Sequence, residues 1–253
     1  MPAEEGIGEV RFLALEDLEE TQYEYNYRID GTVCLGPYVR EIAGHKMFGT
    51  GWEFNRHQIR GRFLQRGYDW EGDKRPQIPV QDVIAYSLHV RGFTMHSSSR
   101  VKHKGTFLGV REKLPYLKEL GINQIQCMPV YEFQEDMGSY RNYWGYGTGY
   151  YFAPKAAYAA FDDAQTELKD LVKACHKAGI EVVLEMPFTE DSSPDCVGMS
   201  SFLSSGVSCG WVCGESLQCA MGQSECGSDL KGSKDLQKRR GLPEQYAQVF
   251  KGR

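Results

Sequence analysis

The chain has 253 residues, a net charge of −5 and 41% hydrophobic residues, enough for one large domain or two small ones with a substantial core. That charge supplies no electrostatic reason to bind nucleic acid or an anionic membrane, and neither is expected as a partner. No run approaches the roughly 20 apolar residues of a membrane span. The polar start MPAEEG lacks the pattern of a signal peptide, so the expected location is the cytoplasm.

Eight cysteines are unevenly placed. Cys34, Cys127 and Cys175 are scattered, as reduced core thiols would be, whereas Cys196, Cys209, Cys213, Cys219 and Cys226 all follow Pro194. Their spacings fit no paired CxxC zinc site, and no histidine follows His176 to complete one. No metal or other cofactor is expected.

Residues 1–75 read as strands. Tyr23, Tyr25 and Tyr27 alternate with Glu24 and Asn26 ahead of Asp30-Gly31, the pattern of a half-buried strand entering a hairpin. From residue 76 the period changes. Residues 83–90 (VIAYSLHV) form a short, mostly apolar run suited to a buried parallel strand. Residues 108–120 carry apolar side chains at helical spacing and stop at Gly121. A second strand follows over 122–130 (INQIQCMPV), a second amphipathic helix over 164–178 with Gly179 as its stop, and a third strand over 180–188 (IEVVLEMPF). Strand, helix, strand, helix, strand predicts an α/β fold with parallel strands. Beyond Ser192 the texture changes: Ser, Gly and Cys dominate, no period lasts, and residues 231–240 are basic and polar. Residues 191–253 read as a disordered tail or as a segment translated in a shifted frame.

Motifs within 76–190 narrow the fold further. Residues 79–94 read PVQDVIAYSLHVRGFT, in which His89-Val90-Arg91-Gly92-Phe93-Thr94 is the most telling part. Gly105-Thr106-Phe107-Leu108-Gly109 follows, then LKELGINQIQCMP over 117–129. Asn142-Tyr143-Trp144-Gly145-Tyr146 precedes Tyr151-Phe152-Ala153-Pro154 and Tyr158-Ala159. In this order and spacing the motifs resemble the α-amylase superfamily of glycoside hydrolases, of the isoamylase and pullulanase (glycogen-debranching) type. The resemblance implies part of a TIM (β/α)8 barrel over 76–190, holding its first three strands. Residues 25–31 (YNYRIDG) and 37–40 (PYVR) resemble the end of the β-sandwich carbohydrate-binding module that precedes such a barrel. A β-sandwich needs about seven strands, and fewer fit within 1–75, so the chain reads as a fragment that starts inside that module.

The resemblance also implies a ligand, an α-glucan polysaccharide or oligosaccharide. Barrel active sites form from loops at the carboxyl ends of strands. Tyr146, after the second strand, would stack flat on the glucose at the cleavage point, with Trp144 and Tyr143 beside it. The alternative is that these three only pack their loop. His89 and Arg91, at the end of the first strand, read either as site walls or as structural polar groups. Glu185 takes the Asp slot of the family's Asp-Val-Val-x-Asn-His pattern, while Thr189 and Glu190 fall in the Asn and His slots. A carboxylate in place of that imidazole removes one sugar-binding donor; alternatively Glu190 is an unrelated loop acid. His96, His103 and Glu132 read as solvated loop residues.

Retaining glycosidases need a carboxylate nucleophile and a carboxylic acid about 5–5.5 Å apart. The resemblance places these on strands four and five, with a further Asp after strand seven. Nothing after strand three matches, so no catalytic residue is assigned and the chain is expected to be inactive. A frame shift would account for the mismatch. Residues 206–211 (GVSCGW) can be written as codons GGA GTA TCA TGT GGA TGG, which read one base later, with the G that opens the next codon, give Glu-Tyr-His-Val-Asp-Gly, the expected start of strand four. The same slide over residues 212–215 permits neither the family's Arg nor its nucleophilic Asp. Three functions compete: an incomplete α-glucan-acting hydrolase, a catalytically degenerate relative that binds α-glucan or a partner enzyme, and a small regulatory module built on the Cys-rich tail.

Overall fold

The changes of period along the sequence correspond to changes of architecture in the computed structural model, which describes residues 6–7, 10–11, 23–29, 32–36, 38–50, 59–63, 67–136, 139–147, 149–186 and 210–212. The chain divides into two units. One, made of Met1–Glu19 and Gly222–Arg253, holds β1 (Gly6–Ile7) and β2 (Val10–Arg11), paired antiparallel. The other, Glu20–Met221, holds every remaining element.

Short antiparallel strands come first in that unit. β3 (Glu24–Tyr25) is followed by β4 (Tyr27–Ile29), β5 (Thr32–Cys34), β6 (Ile42–Ala43) and β7 (Arg60–Arg62). β4 and β5 pair with Ile29 opposite Thr32, which is the hairpin expected around Asp30-Gly31; those two turn residues lie outside the described set. β3, β7 and β6 form a separate three-stranded sheet.

The α/β portion follows. β8 (Ala85–Leu88) leads into α1 (Val90–Met95), α2 (Phe107–Glu112) and α3 (Leu114–Glu119). β9 (Gln124–Cys127) is followed by a hairpin of β10 (Tyr131–Phe133) and β11 (Gly149–Pro154), then α4 (Ala164–Lys177) and β12 (Glu181–Met186). The sheet order is β8, β9, β12 and finally β13 (Gly210–Val212). β8, β9 and β12 run parallel, with Leu88, Cys127 and Leu184 in one row, as the sequence predicts. β13, from the segment read as an irregular tail, pairs antiparallel to β12. The other residues of 191–253 lie outside the described set.

Alternation along the strands sets the core. Leu88, Ile125, Cys127, Val182 and Leu184 are buried together with Phe107, Val110 and Leu117 of the first helices and Leu171 and Cys175 of α4. The opposite face carries Ser87, Gln124, Gln126, Glu181 and Glu185, half-buried or exposed. β8 is thus buried on one face only, because no element among the described residues covers the other. Burial pushes the Cys127 thiol up to about 12 and the Cys175 thiol upward as well, so both stay protonated and inert.

Helix boundaries follow from capping chemistry. Asp163 Oδ1 accepts from Thr166 N at 2.8 Å to start α4, and Gly179 ends it at φ 76. The helix expected over 108–120 is instead two, broken at Lys113. Pro115 stands in the first turn of α3, where it has no N–H to bond to the carbonyl a turn back. The strand expected to reach residue 90 ends at Leu88, since His89 caps α1.

Residues 68–78 lie across α4 and the start of β12. Tyr68 donates to Asp170 at 2.6 Å, Lys173 and Lys177 pair with Glu71, and Ile78 N donates to Glu181 at 2.8 Å. The exposed ion pairs contribute little each. Asp73 and His176 differ, being nearly enclosed with their side chains 2.5 Å apart. Leu171 of α4 is 1% exposed against the sheet. Leu171→Ala should destabilise the chain by about 2–5 kcal/mol in guanidinium denaturation; a loss under about 1 kcal/mol would mean that α4 does not pack on this core.

Candidate functional site

Parallel strands deliver their carboxyl ends, and the segments that succeed them, to one end of the sheet. His89 follows β8, the β10–β11 hairpin follows β9, and Glu185 and Met186 close β12. The connection between β10 and β11 carries residues 142–147, whose conformation is fixed from both sides. Asn142 Oδ1 accepts from Gly145 N at 3.0 Å, while its Nδ2 donates to the Tyr146 carbonyl at 3.1 Å. The Tyr131 hydroxyl donates to the carbonyls of Gly145 at 2.8 Å and Gly147 at 2.5 Å, sharing one proton between them. Gly145 sits at φ 84, and a Cβ there would lie 2.5 Å from the Phe133 ring. Only glycine fits.

This fixed turn leaves aromatic surface in solvent. Trp144 is 53% exposed, Tyr146 43% and Tyr143 37%. Tyr143 lies flat on the buried His89 ring at 4.5 Å and 16°, and Trp144 meets both rings edge-on. His89 Nδ1 accepts from Gly92 N at 2.9 Å, so its proton is on Nε2. Nε2 faces the Tyr143 carbonyl at 2.9 Å and the Tyr158 hydroxyl at 3.0 Å. Burial holds the His89 pKa below the ordinary histidine value, which keeps this neutral tautomer. Phe48 completes the cluster: it stacks on Tyr158 at 6.1 Å, meets Tyr143 edge-on at 5.6 Å, and lies 4.6 Å under the Arg91 guanidinium.

Five of the six residues singled out from sequence therefore occupy one cluster and its loop: His89, Arg91, Tyr143, Trp144 and Tyr146. His89 is a buried cap and ring support, placed after β8 and not within it. Glu185 is on β12, half-buried, and its charge is among those that raise the Tyr131 hydroxyl pKa, behind burial and Tyr151. Thr189 and Glu190 lie outside the described residues.

Glu132 overturns its reading as a solvated residue. It is fully buried. Its Oε1 lies 2.5 Å from His45 Nδ1 and 3.2 Å from Lys155 Nζ, and its Oε2 accepts from Ala156 N at 2.9 Å. Lys155, equally buried, also donates to the Phe133 carbonyl at 2.9 Å and lies 2.6 Å from Glu135. Glu135 in turn accepts from Gly49 N. Burial opposes ionisation of Glu132, but Lys155 and His45 outweigh it and bring its pKa down to about 2. His103 differs as well: it is half-buried and lies 2.9 Å from Glu112. His96 is exposed, as expected. A lone Glu in VYEF and a lone Lys in FAPKAAY, each within an apolar run, were the signal for the buried pair.

Residues 74–193 match the protein family described as alpha amylase, catalytic domain. The chain is 37% identical over 196 residues to "Isoamylase 1, chloroplastic" of Arabidopsis thaliana, covering 64% of this chain and 25% of that protein. It is 34% identical over 217 residues to "Isoamylase 3, chloroplastic" of Oryza sativa subsp. japonica, covering 74% and 28%. With a "Glycogen debranching enzyme" of Dickeya chrysanthemi it shares 31% identity over 212 residues, covering 69% and 31%. Among solved structures, the GBS pullulanase SAP in complex with maltotetraose aligns at a TM-score of 0.52 with 27% identity, over 66% of this chain and 24% of that one. The chain thus spans between a quarter and a third of the length of these curated relatives.

Removing one charge from the buried cluster leaves its partners uncompensated. Lys155→Met should cost about 3–5 kcal/mol in urea denaturation at neutral pH. Because the folded pKa of Glu132 is depressed, the stability it contributes is present above about pH 4.5 and lost as pH falls through about 2. The deficit of Glu132→Gln against the unmodified chain should shrink on acidification through that window. A deficit that stays constant would show that the carboxylate is not ionised in the fold.

Proposed function

We propose that this chain, which over residues 74–193 matches the alpha amylase catalytic domain, belongs to the α-amylase family of glycoside hydrolases, derives from an α-glucan-acting enzyme of the debranching type and itself binds α-glucan without cleaving it. One observation carries the reading: a closely held turn at the carboxyl end of the parallel strands leaves Trp144 and Tyr146 substantially exposed. A pyranose ring presents an apolar CH face, which an exposed aromatic plane covers at little entropic cost. Tyr146 stacks on the sugar, Trp144 and Tyr143 extend the surface, and His89 and Arg91 support it from below. Glu185, half-buried near the end of β12, accepts from a sugar hydroxyl in this reading. The maltotetraose named with the aligned pullulanase is a ligand of the same class.

The described acids near the site do not supply a reacting pair. Hydrolysis with retention needs one free carboxylate and one protonated partner across the bond. Glu132 and Glu135 are instead held by His45, Lys155 and Gly49 N. The proposal therefore names no catalytic residue. It also takes the parallel strands as the first part of a TIM barrel and the antiparallel strands within 24–62 as part of a carbohydrate-binding β-sandwich. No helix among the described residues is long and apolar enough to cross a membrane. A cytoplasmic location is part of the same proposal.

Isothermal titration of the full chain with maltoheptaose should show binding, and Trp144→Ala or Tyr146→Ala should each weaken it about 5–10-fold. No reducing ends should appear on pullulan or glycogen above a buffer control. Equal affinity in both variants would remove the platform from the account, and hydrolysis that co-purifies with the chain would show an unassigned carboxylate pair.

A further inference from the structure

His45 belongs to the segment before the α/β portion, yet it lies in the buried charge cluster beside the aromatic platform. Its Nδ1 is 2.5 Å from Glu132 Oε1 and its Nε2 is 2.8 Å from the Thr50 carbonyl. Both neighbours are acceptors. A neutral imidazole carries one N–H and can satisfy only one of them; the imidazolium satisfies both. The charges around it come from every element packed there: Glu132 on β10, Glu135 just after β10, and Lys155 just after β11. With His45 protonated, the two cations balance the two carboxylates. Without that proton, a lone pair faces a carboxylate or a carbonyl and the buried cluster carries a net negative charge.

Three residues further on, the same segment presents Phe48 to the site. The His45 ring is held by Glu132 and Gly49 N by Glu135, so Phe48 lies between two anchored residues. Its ring touches Tyr158, Tyr143, His89 and the Arg91 guanidinium. We propose that His45, as an imidazolium bridging Glu132 and the Thr50 carbonyl, is a positioning residue that fixes Phe48 beneath Tyr143 and Arg91, so that saccharide binding weakens when its proton is lost. The inference rests on the α-glucan-binding reading of the turn at residues 143–146.

The electrostatics agree in sign. Burial works against the charged ring, but Glu132 outweighs it and the pKa of His45 ends above the ordinary value of 6.5. A raised histidine pKa means that the stabilising contribution is complete below pH 6.5 and lost as pH rises through the folded value. His89 is shifted the opposite way and has already lost its proton in that window.

The test uses the full chain between pH 6 and 9. Maltoheptaose affinity is measured by calorimetry, and the Trp144 environment by fluorescence, assigned against Trp144→Phe. Affinity of the unmodified chain should fall about 5-fold across this range, with the Trp144 signal changing in the same window even without sugar. His45→Gln, which cannot titrate, should bind weakly at pH 6 and show no pH dependence in either readout. Affinity and fluorescence both flat with pH, or a His45→Gln profile that matches the unmodified chain, would overturn the proposal. If no sugar binds at any pH while the Trp144 signal titrates and His45→Gln abolishes it, positioning stands and the α-glucan reading fails. If His45→Gln does not fold, the unmodified chain decides: a Trp144 transition at constant far-UV circular dichroism supports the role, and no transition refutes it.

Discussion

The structure around the site depends on the pairing of Glu132 with Lys155 inside the protein. Removing charges from water costs several kcal/mol per ion, and attraction repays it only where hydrogen bonds satisfy the remaining valences. Glu132 meets that condition through His45, Lys155 and Ala156 N. Lys155 meets it through Glu132 and the Phe133 carbonyl, with Glu135 as a close ion-pair partner. Satisfying both ions draws together the 45–50 segment, β10 with the residues just after it, and the end of β11. Phe133 is then packed beneath the Lys155 ammonium at 3.9 Å. The space it occupies is what excludes any side chain at residue 145.

The platform above follows from this anchoring. Tyr131 and Phe133 approach the 142–147 turn from below, the first by donating to two of its carbonyls, the second by contact with Gly145. Packing accounts for Tyr143, one face of which is spent on His89. Trp144 and Tyr146 remain substantially exposed although the turn that carries them is closely held. A closely held backbone with exposed aromatic side chains suits a ligand that brings its own apolar face, as proposed above. Neutral His89 serves the same arrangement, since its single N–H is spent on the Tyr143 carbonyl and the Tyr158 hydroxyl.

Much of the α/β portion was legible because it rests on local signals. Short apolar runs located β8, β9 and β12, helical spacing located α4, and Gly121 and Gly179 marked helix ends. Pro115 could have marked the break between α2 and α3, but the apolar spacing ran through it. The site was legible where aromatic residues cluster in sequence, as in residues 142–146. It was not where a role needs a distant partner. Glu132 became a core residue only through His45, 87 positions away, and Lys155, 23 away. The change of texture near residue 75 records a change from antiparallel to parallel strands. It does not coincide with a division between compact units, because residues 68–78 bond across α4 and His45 reaches into the cluster.

The central claim is that the turn at residues 143–146 is a saccharide-binding surface, and chemical-shift mapping of the full chain during titration with maltoheptaose tests it most directly. The account predicts saturable shifts of the Trp144 indole N–H and of the Tyr143 and Tyr146 amides, with the buried Trp70 indole unmoved. Shifts that saturate elsewhere while these three residues stay fixed would contradict it.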